Sequence, residues 1–430
     1  MIRRFAAAVA FLLFAAAPAW AASTCDPDGV QASGSKYRIC MPAAGEYNNI
    51  LVIWAHGFQD AGTPVQIPED QLCIGTFCIP ELVNGLGFGF ATNSYSKTGL
   101  AILEGKADIL DLVNIYKAQK GTPSKVYLVG ASEGGIITAL SLEQHPGVYS
   151  AGMAACGPVG SFPYQINYFG DARATFEVFF PGVIPGPPFD PPQALVDVWS
   201  DYYDLVVKPI ITHPALRQNL DEWAAVAKLP FDGGDKYLET VEQSAKDVLR
   251  YSVVNLKDAA TTLGGFPFDN TTRWYTGSSN DLGVNYLVPR IAASPVAVNA
   301  MNTSYATTGN LTRPLVTLHT TRDQQVPYVH EPLYALKTIA SGSWLTRHLN
   351  IEIDRYEHCN FTPDEVLLSF IVMLVYDGLV QEVSGLSSVL TPQQAAAFEA
   401  RARGLGITVR RDGDRLRIKP KQKPLVRSGS

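Results

Sequence analysis

The sequence predicts an α/β fold with a mostly parallel central sheet, a mainly helical cap insertion and a C-terminal β-hairpin. Three observations lead there. Short apolar runs alternate with longer helical stretches from about residue 45 to Ala155. The alternation stops at Gly157 and resumes at Leu315, and a strand–turn–strand pattern surrounds Asp412 and Gly413 near the end of the chain.

Each element has its own local signal. Ile50–Ala55 is a continuous apolar run, as required of a strand buried on both faces of a parallel sheet. Phe88–Thr92 forms a second strand, and Leu100–Gln119 a helix with Ile102, Leu110, Leu112, Val113 and Tyr116 on its apolar side. Gly121-Thr122-Pro123 stops that helix. Lys125–Val129 is a third strand, Glu133 to about Gln144 a helix, and Ala151–Ala155 a fourth strand. Repeats of this kind imply right-handed crossovers between parallel strands.

From Gly157 to Arg313 prolines accumulate, and helical stretches cover Pro192–Val207 and Lys236–Val254. Between Ser161 and Arg290 there are 20 aromatic residues in 130, about 15% against 10% for the whole chain. That excess marks a separate hydrophobic subdomain or an aromatic-lined cover. Strands return at Leu315–Leu318 and Leu349–Ile353, followed by a closing helix over Thr362–Leu379. Ile407–Ile418 alternates apolar and charged residues around its turn and reads as a hairpin. The expected division is 22–156 and 314–383 for the two parts of the core, 157–313 for the cap, and 384–430 for a C-terminal extension.

Residues 1–21 read as an export signal. Arg3 and Arg4 precede an apolar run from Phe5 to Ala17, and Ala19-Trp20-Ala21 supplies small residues for cleavage. The run is shorter than the roughly 20 residues that span a bilayer, so no stable membrane insertion is expected. The formal charge of −6, which becomes −8 without Arg3 and Arg4, argues against nucleic acid as a partner. The end of the chain runs the other way: Arg401–Ser430 holds ten Lys and Arg against Asp412 and Asp414, a basic tail read as a solvated arm. All six cysteines, Cys25, Cys40, Cys73, Cys78, Cys156 and Cys359, follow the signal, which favours disulfides. Cys73 and Cys78 lie close enough to pinch a loop. No Cys or His spacing suits zinc.

The chemistry centres on Gly130-Ala131-Ser132-Glu133-Gly134-Gly135. The pattern G-x-S-x-G is short, so its context carries the weight: an apolar strand ends before it and a helix starts after it. That sharp turn strains the serine backbone and lifts the hydroxyl above the sheet. Gly130 and Gly134 flank it because side chains there would meet the neighbouring strand and helix. A serine hydroxyl needs a base, and the base needs an orienting acid. In chain order these are Asp323, placed five residues beyond the Leu315–Leu318 strand, and His358, just past the following strand. Both fall at C-terminal strand ends, where open α/β sheets build their sites. His145, His213, His330 and His348 fit worse by position, and His319 reads as a core or surface histidine that ends the acid-bearing strand.

An oxyanion hole needs two N–H donors. The Glu133 amide is one. The other comes from the loop His56-Gly57-Phe58-Gln59, with Phe58 preferred and Gln59 the alternative; Gly57 allows close approach, and His56 braces the loop.

The segments Asn49–Gly157 and Pro314–Gly378 resemble the α/β-hydrolase superfamily through the His-Gly-Phe loop, the serine elbow, the Asp-Gln-Gln-Val-Pro turn and His358. They look most like secreted bacterial esterases and peptidase-like relatives with a cap before the acid strand. The resemblance implies an α/β-hydrolase fold and an exported or periplasmic serine hydrolase that cleaves carboxylic esters of small molecules or polymer fragments, with no metal and no organic cofactor. An exported serine peptidase of the prolyl-oligopeptidase type is the alternative, and a non-catalytic binding protein of the same fold is a third reading. Tannase and feruloyl-esterase proteins join a cysteine before the serine to one after the histidine. Here Ala131 precedes Ser132, so that bridge cannot form, and Cys156 is the candidate partner of Cys359.

Overall fold

The computed structural model describes residues 23–379 apart from 75 and 76, together with 382–384, 396, 399–400, 403, 407–412 and 415–420. The export signal read over 1–21 and the basic stretch from 421 onwards lie outside the described residues.

The central sheet has nine strands. In chain order they are β1 (Thr24–Cys25), β2 (Gly29–Val30), β3 (Lys36–Met41), β4 (Ile50–Ala55), β7 (Gly89–Asn93), β8 (Lys125–Ala131), β9 (Ala151–Ala155), β10 (Leu315–Arg322) and β11 (His348–Tyr356). The small hairpin β5 (Cys73–Ile74) and β6 (Phe77–Cys78) stands apart from it. Across the sheet the order is β1-β3-β7-β4-β8-β9-β10-β11, with β2 on β3. From β7 to β11 every pairing is parallel, and β3 joins β7 antiparallel. The apolar runs explain the centre: all residues of β4, β7 and β9 are buried.

Helices cover both faces. On one lie α2 (Ile102–Lys120) and α3 (Glu133–Gln144), packed against each other and on the strands. On the other lies α1 (Ile79–Gly85), later joined by α15 (Pro363–Tyr376). The α15 terminus is fixed by Thr362 and Glu365 bonding reciprocally to each other's backbone.

Between β9 and β10 the chain forms α4 (Phe162–Phe179), α5 (Gln193–Asp197), α6 (Trp199–Tyr202), α7 (Lys208–Ile211), α8 (Arg217–Ala227), α9 (Tyr237–Arg250), α10 (Leu256–Thr262), α11 (Asp281–Leu287) and α12 (Pro295–Thr303). Two π-helical turns, Tyr203–Val207 and Tyr251–Asn255, interrupt the series. The apolar core of this segment is continuous with the layer under α2 and α3. After β10 come α13 (His330–Ala340) and α14 (Trp344–Arg347). Three disulfides join Cys25 to Cys40, Cys73 to Cys78 and Cys156 to Cys359. Beyond α15, β12 (Glu382–Ser384), β13 (Ile407–Asp412) and β14 (Arg415–Pro420) form a separate antiparallel sheet in the order β12-β14-β13. The hairpin expected there is β13–β14, its turn at 413–414 outside the described residues.

Three departures from the sequence reading concern the sheet. Sheet formation starts at residue 24, because the short edge strands β1 to β3 carry no long apolar run. The strand read as Leu315–Leu318 continues to Arg322, and Asp323 therefore follows it directly. The next strand begins at His348 and extends to Tyr356, so His348 lies within it. Among the described residues no helix is long and apolar enough to cross a membrane.

Candidate active site

Ser132 sits between the end of β8 and the start of α3, with φ 56° and ψ −118°. Side chains rarely adopt such backbone angles, so the surroundings must hold them. The Ser132 amide donates to the Ala155 carbonyl at 2.8 Å, and Gly135 N donates back to the Ser132 carbonyl at 2.9 Å. The flanking glycines are sterically required. A Cβ on Gly130 would overlap the Gly134 backbone, and one on Gly134 would overlap the Ala55 carbonyl and lie 2.6 Å from that of His56.

His358 Nε2 lies 2.9 Å from Ser132 Oγ, and His358 Nδ1 lies 2.7 Å from Asp323 Oδ2. An ionised carboxylate only accepts, so Nδ1 carries the proton and the Nε2 lone pair faces the serine. Asp323 is fully buried, and its other oxygen accepts from the amides of Gln325 and Val326 at 2.9 and 2.8 Å. Burial alone would raise its pKa, but His358 and His319 reverse this and hold the carboxyl well below the usual range. The loop carrying His358 is tightly drawn: Glu357 and Cys359 both have positive φ, and Cys359 is bonded to Cys156. The His358 amide donates to Gln324 Oε1 at 2.9 Å.

A second histidine stands behind the acid. His319 is fully buried, with Nε2 3.3 Å from Asp323 Oδ2 and 2.8 Å from the Val326 carbonyl, and Nδ1 3.1 Å from Glu331 Oε1. Acceptors face both ring nitrogens. Burial by itself favours the neutral ring, but Asp323 and Glu331 prevail and push its pKa up to about 10. Glu331 also accepts from Thr317 Oγ1 and Asn350 Nδ2. A polar chain thus runs from Glu331 through His319, Asp323 and His358 to Ser132.

On the β4 side, the Gly57 amide donates to Gln71 Oε1 at 2.6 Å. Among the described residues, the Phe58 and Glu133 amides have no protein acceptor. His56 stacks on Tyr95 with ring centroids 3.8 Å apart, and its carbonyl accepts from the Tyr95 hydroxyl at 2.8 Å, which braces the loop. Burial lowers the His56 pKa to about 4, so the ring is neutral. The Glu133 side chain points away from bulk water and accepts from the Ala101 amide; burial raises its pKa to about 8.

The segment between β9 and β10 holds the acid and histidine loops. Asp247 of α9 accepts from the side-chain amides of Gln324 and Gln325 at 2.7 and 3.1 Å. The Tyr356 hydroxyl donates to the Thr240 carbonyl at 2.7 Å, and Tyr168 of α4 donates to the Gln324 carbonyl at 2.9 Å. Tyr251, at the start of a π-helical turn, stacks on Phe169 at 4.6 Å and meets Phe58 edge-on at 5.6 Å. Two cavities open beside Ser132. One of about 80 Å³ is lined by helices of this segment, and one of about 320 Å³ reaches between the sheet and the α1–α15 layer.

No family model matches the chain, and no curated protein matches it in sequence. Among solved structures, an acylaminoacyl peptidase of Pyrococcus horikoshii aligns with a TM-score of 0.40 at 10% identity, covering 82% of this chain and 41% of its own. Candida antarctica lipase A in its closed state aligns at 0.45 and 16% identity, over 87% of this chain and 85% of the lipase. An esterase from Aspergillus oryzae aligns at 0.42 and 12% identity, over 82% and 79%. This chain spans only about two fifths of the peptidase's length. The fold rests on the chain's own topology. The strand order decides it: six parallel strands, an antiparallel β3 beside them, and a strained serine at the β8–α3 turn. The chain has the α/β-hydrolase fold.

In this fold, Ser132, Asp323, His358, Gly57, Phe58 and Glu133 come together at one sheet edge. Cys156–Cys359 adjoins them, while Cys25–Cys40 lies at the opposite margin on β1 and β3. His330 and His348 lie away from the site. His330 is buried against Gln165 and the Ser161 amide, its pKa lowered to about 3 chiefly by burial, and His348 contacts Thr317. Sequence reading missed His319 and Glu331 as a pair. The available signal was a polar residue at an inward position of a buried strand with an acid in the first turn of the next helix.

Proposed function

We propose that this chain is an exported serine hydrolase that cleaves carboxylic esters through an acyl-enzyme. Ser132 Oγ attacks the ester carbonyl while His358 Nε2 takes its proton. The carbonyl electrons move onto oxygen, where the amides of Phe58 and Glu133 and the positive end of α3 stabilise the charge. When they return, the carbonyl–alkoxy bond breaks and His358 passes its proton to the departing alcohol. Water then repeats the sequence on the acyl-enzyme and frees the acid. Asp323 holds the ring tautomer and offsets the imidazolium charge.

The observation that carries this reading is the hydrogen-bonded path from Asp323 through His358 to a serine held at φ 56°. Export is supported by the pairing of all six cysteines, which suits an oxidising compartment. The test is turnover of p-nitrophenyl acetate. Ser132→Ala should lower kcat by a factor on the order of 10⁶, leaving only the residual rate that the oxyanion hole and binding support. Unchanged turnover by that variant would reject the assignment. Faster cleavage of a peptide amide than of its matching ester would favour a peptidase instead.

A further inference from the structure

The larger cavity is in an unexpected place. It opens at Ser132 and His358, yet it does not run under the helices between β9 and β10. It passes into the core on the opposite face of the sheet, between Val52, Trp54, Val129 and Met153 on the strands and Val83 and Phe370 on α1 and α15. Protein interiors are close-packed, with few voids larger than a water molecule. A void of about 320 Å³ leading from a reactive serine is space kept open for a ligand.

The walls state what that ligand is. No Asp, Glu, Lys or Arg lines the cavity. Its polar side chains near the mouth are already committed: Gln71 accepts from Gly57, and Gln325 bonds Tyr251 and Asp247. Deeper in, Trp54 Nε1 is buried without an acceptor, and the remaining surface is aliphatic or aromatic. Two of the wall residues, Cys78 and Cys359, belong to disulfides that fix the start of α1 and the loop after His358. These two bridges tie down that part of the wall.

We propose that this cavity binds an unbranched aliphatic chain of the ester, while the cavity of about 80 Å³ takes the short arm. The proposal rests on the ester-hydrolase reading above and names its substrate class. The larger cavity, about 320 Å³ against about 80 Å³, has roughly four times the room of the smaller, so the longer arm of the ester lies in it. Phe58, Ser132, Tyr251 and Gln325 border both cavities, so the scissile carbonyl lies where the two meet.

The experiment measures kcat/KM for two series: p-nitrophenyl esters from acetate to palmitate, and acetate esters of alcohols from ethanol to dodecanol. In one series kcat/KM should rise about fourfold per added methylene and fall once the chain exceeds the cavity's depth; which series rises tells whether the chain is acyl or alcohol. Val83→Phe, which fills the cavity, should lower the decanoate-to-acetate ratio (or its alcohol counterpart) at least about tenfold. If Val83→Phe does not fold, Val366→Trp at the partly exposed rim of the same cavity makes the same test. Flat profiles in both series, a preference for phenolic over aliphatic esters, or an unchanged ratio in a folded filling variant would overturn the proposal. Failure to hydrolyse any ester would instead count against the ester-hydrolase reading. The cavity is then tested by calorimetric binding of decanoate to Ser132→Ala, where lack of binding overturns it.

Discussion

Replacing His319 with Gln removes a buried cation from between two carboxylates, and its effect on stability should depend on pH in a defined direction. The ring has no solvent exposure and contacts Asp323 at 3.3 Å and Glu331 at 3.1 Å. Breaking one partner out of a buried ion pair costs about 3–5 kcal/mol, a large part of the 5–15 kcal/mol typical of a folded domain. The folded-state pKa, about 10, is raised above the unfolded value of 6.5. The stability this histidine contributes is therefore fully present below pH 6.5 and is lost as pH rises through about 10. Urea unfolding followed by tryptophan fluorescence, disulfides intact, should show the widest gap between wild type and His319→Gln at or below pH 6.5. Above that the gap should narrow, by at most about 1.4 kcal/mol per pH unit. A gap that stays constant up to pH 10, or widens, would refute the claim that His319 is an imidazolium.

Two further predictions concern the frame of the site. Gly134→Ala places a methyl group against the Ala55 and His56 carbonyls, which belong to the backbone and cannot rotate aside. Overpacking of this kind costs about 1–3 kcal/mol or more, so the variant should melt lower and lose most of its ester turnover; a wild-type Tm and kcat would contradict the packing argument. Replacing Cys156 and Cys359 by Ser opens a link across 203 residues and should cost about 2–5 kcal/mol. Because Cys359 follows His358, kcat should fall more than KM changes, as single-turnover kinetics on the folded variant would show.

The elbow was legible because everything that makes it is local: an apolar strand, two required glycines and a helix start. Asp323 and His358 could be found from strand ends alone, even though Thr320–Arg322 and Asp354–Tyr356 are too polar to read as strand and the boundaries fell short. Helix α4 escaped notice for the opposite reason. It is buried on nearly all sides, so it lacks the one-sided apolar stripe that marks a surface helix. The His319–Glu331 pair depends on α13 packing beside β10, and the Asp247 bridge depends on a helix folding back from the insertion. The larger cavity has no sequence signature, since its walls are the same apolar residues that fill a core.

The central claim is that Ser132 is the nucleophile activated by His358. Its most direct measurement is reaction with a fluorophosphonate probe, followed by intact mass and peptide mapping. A single adduct on Ser132, absent from Ser132→Ala and strongly slowed in His358→Ala, is the predicted result. Ester turnover with Ser132 unlabelled, or with the adduct on another residue, would contradict it.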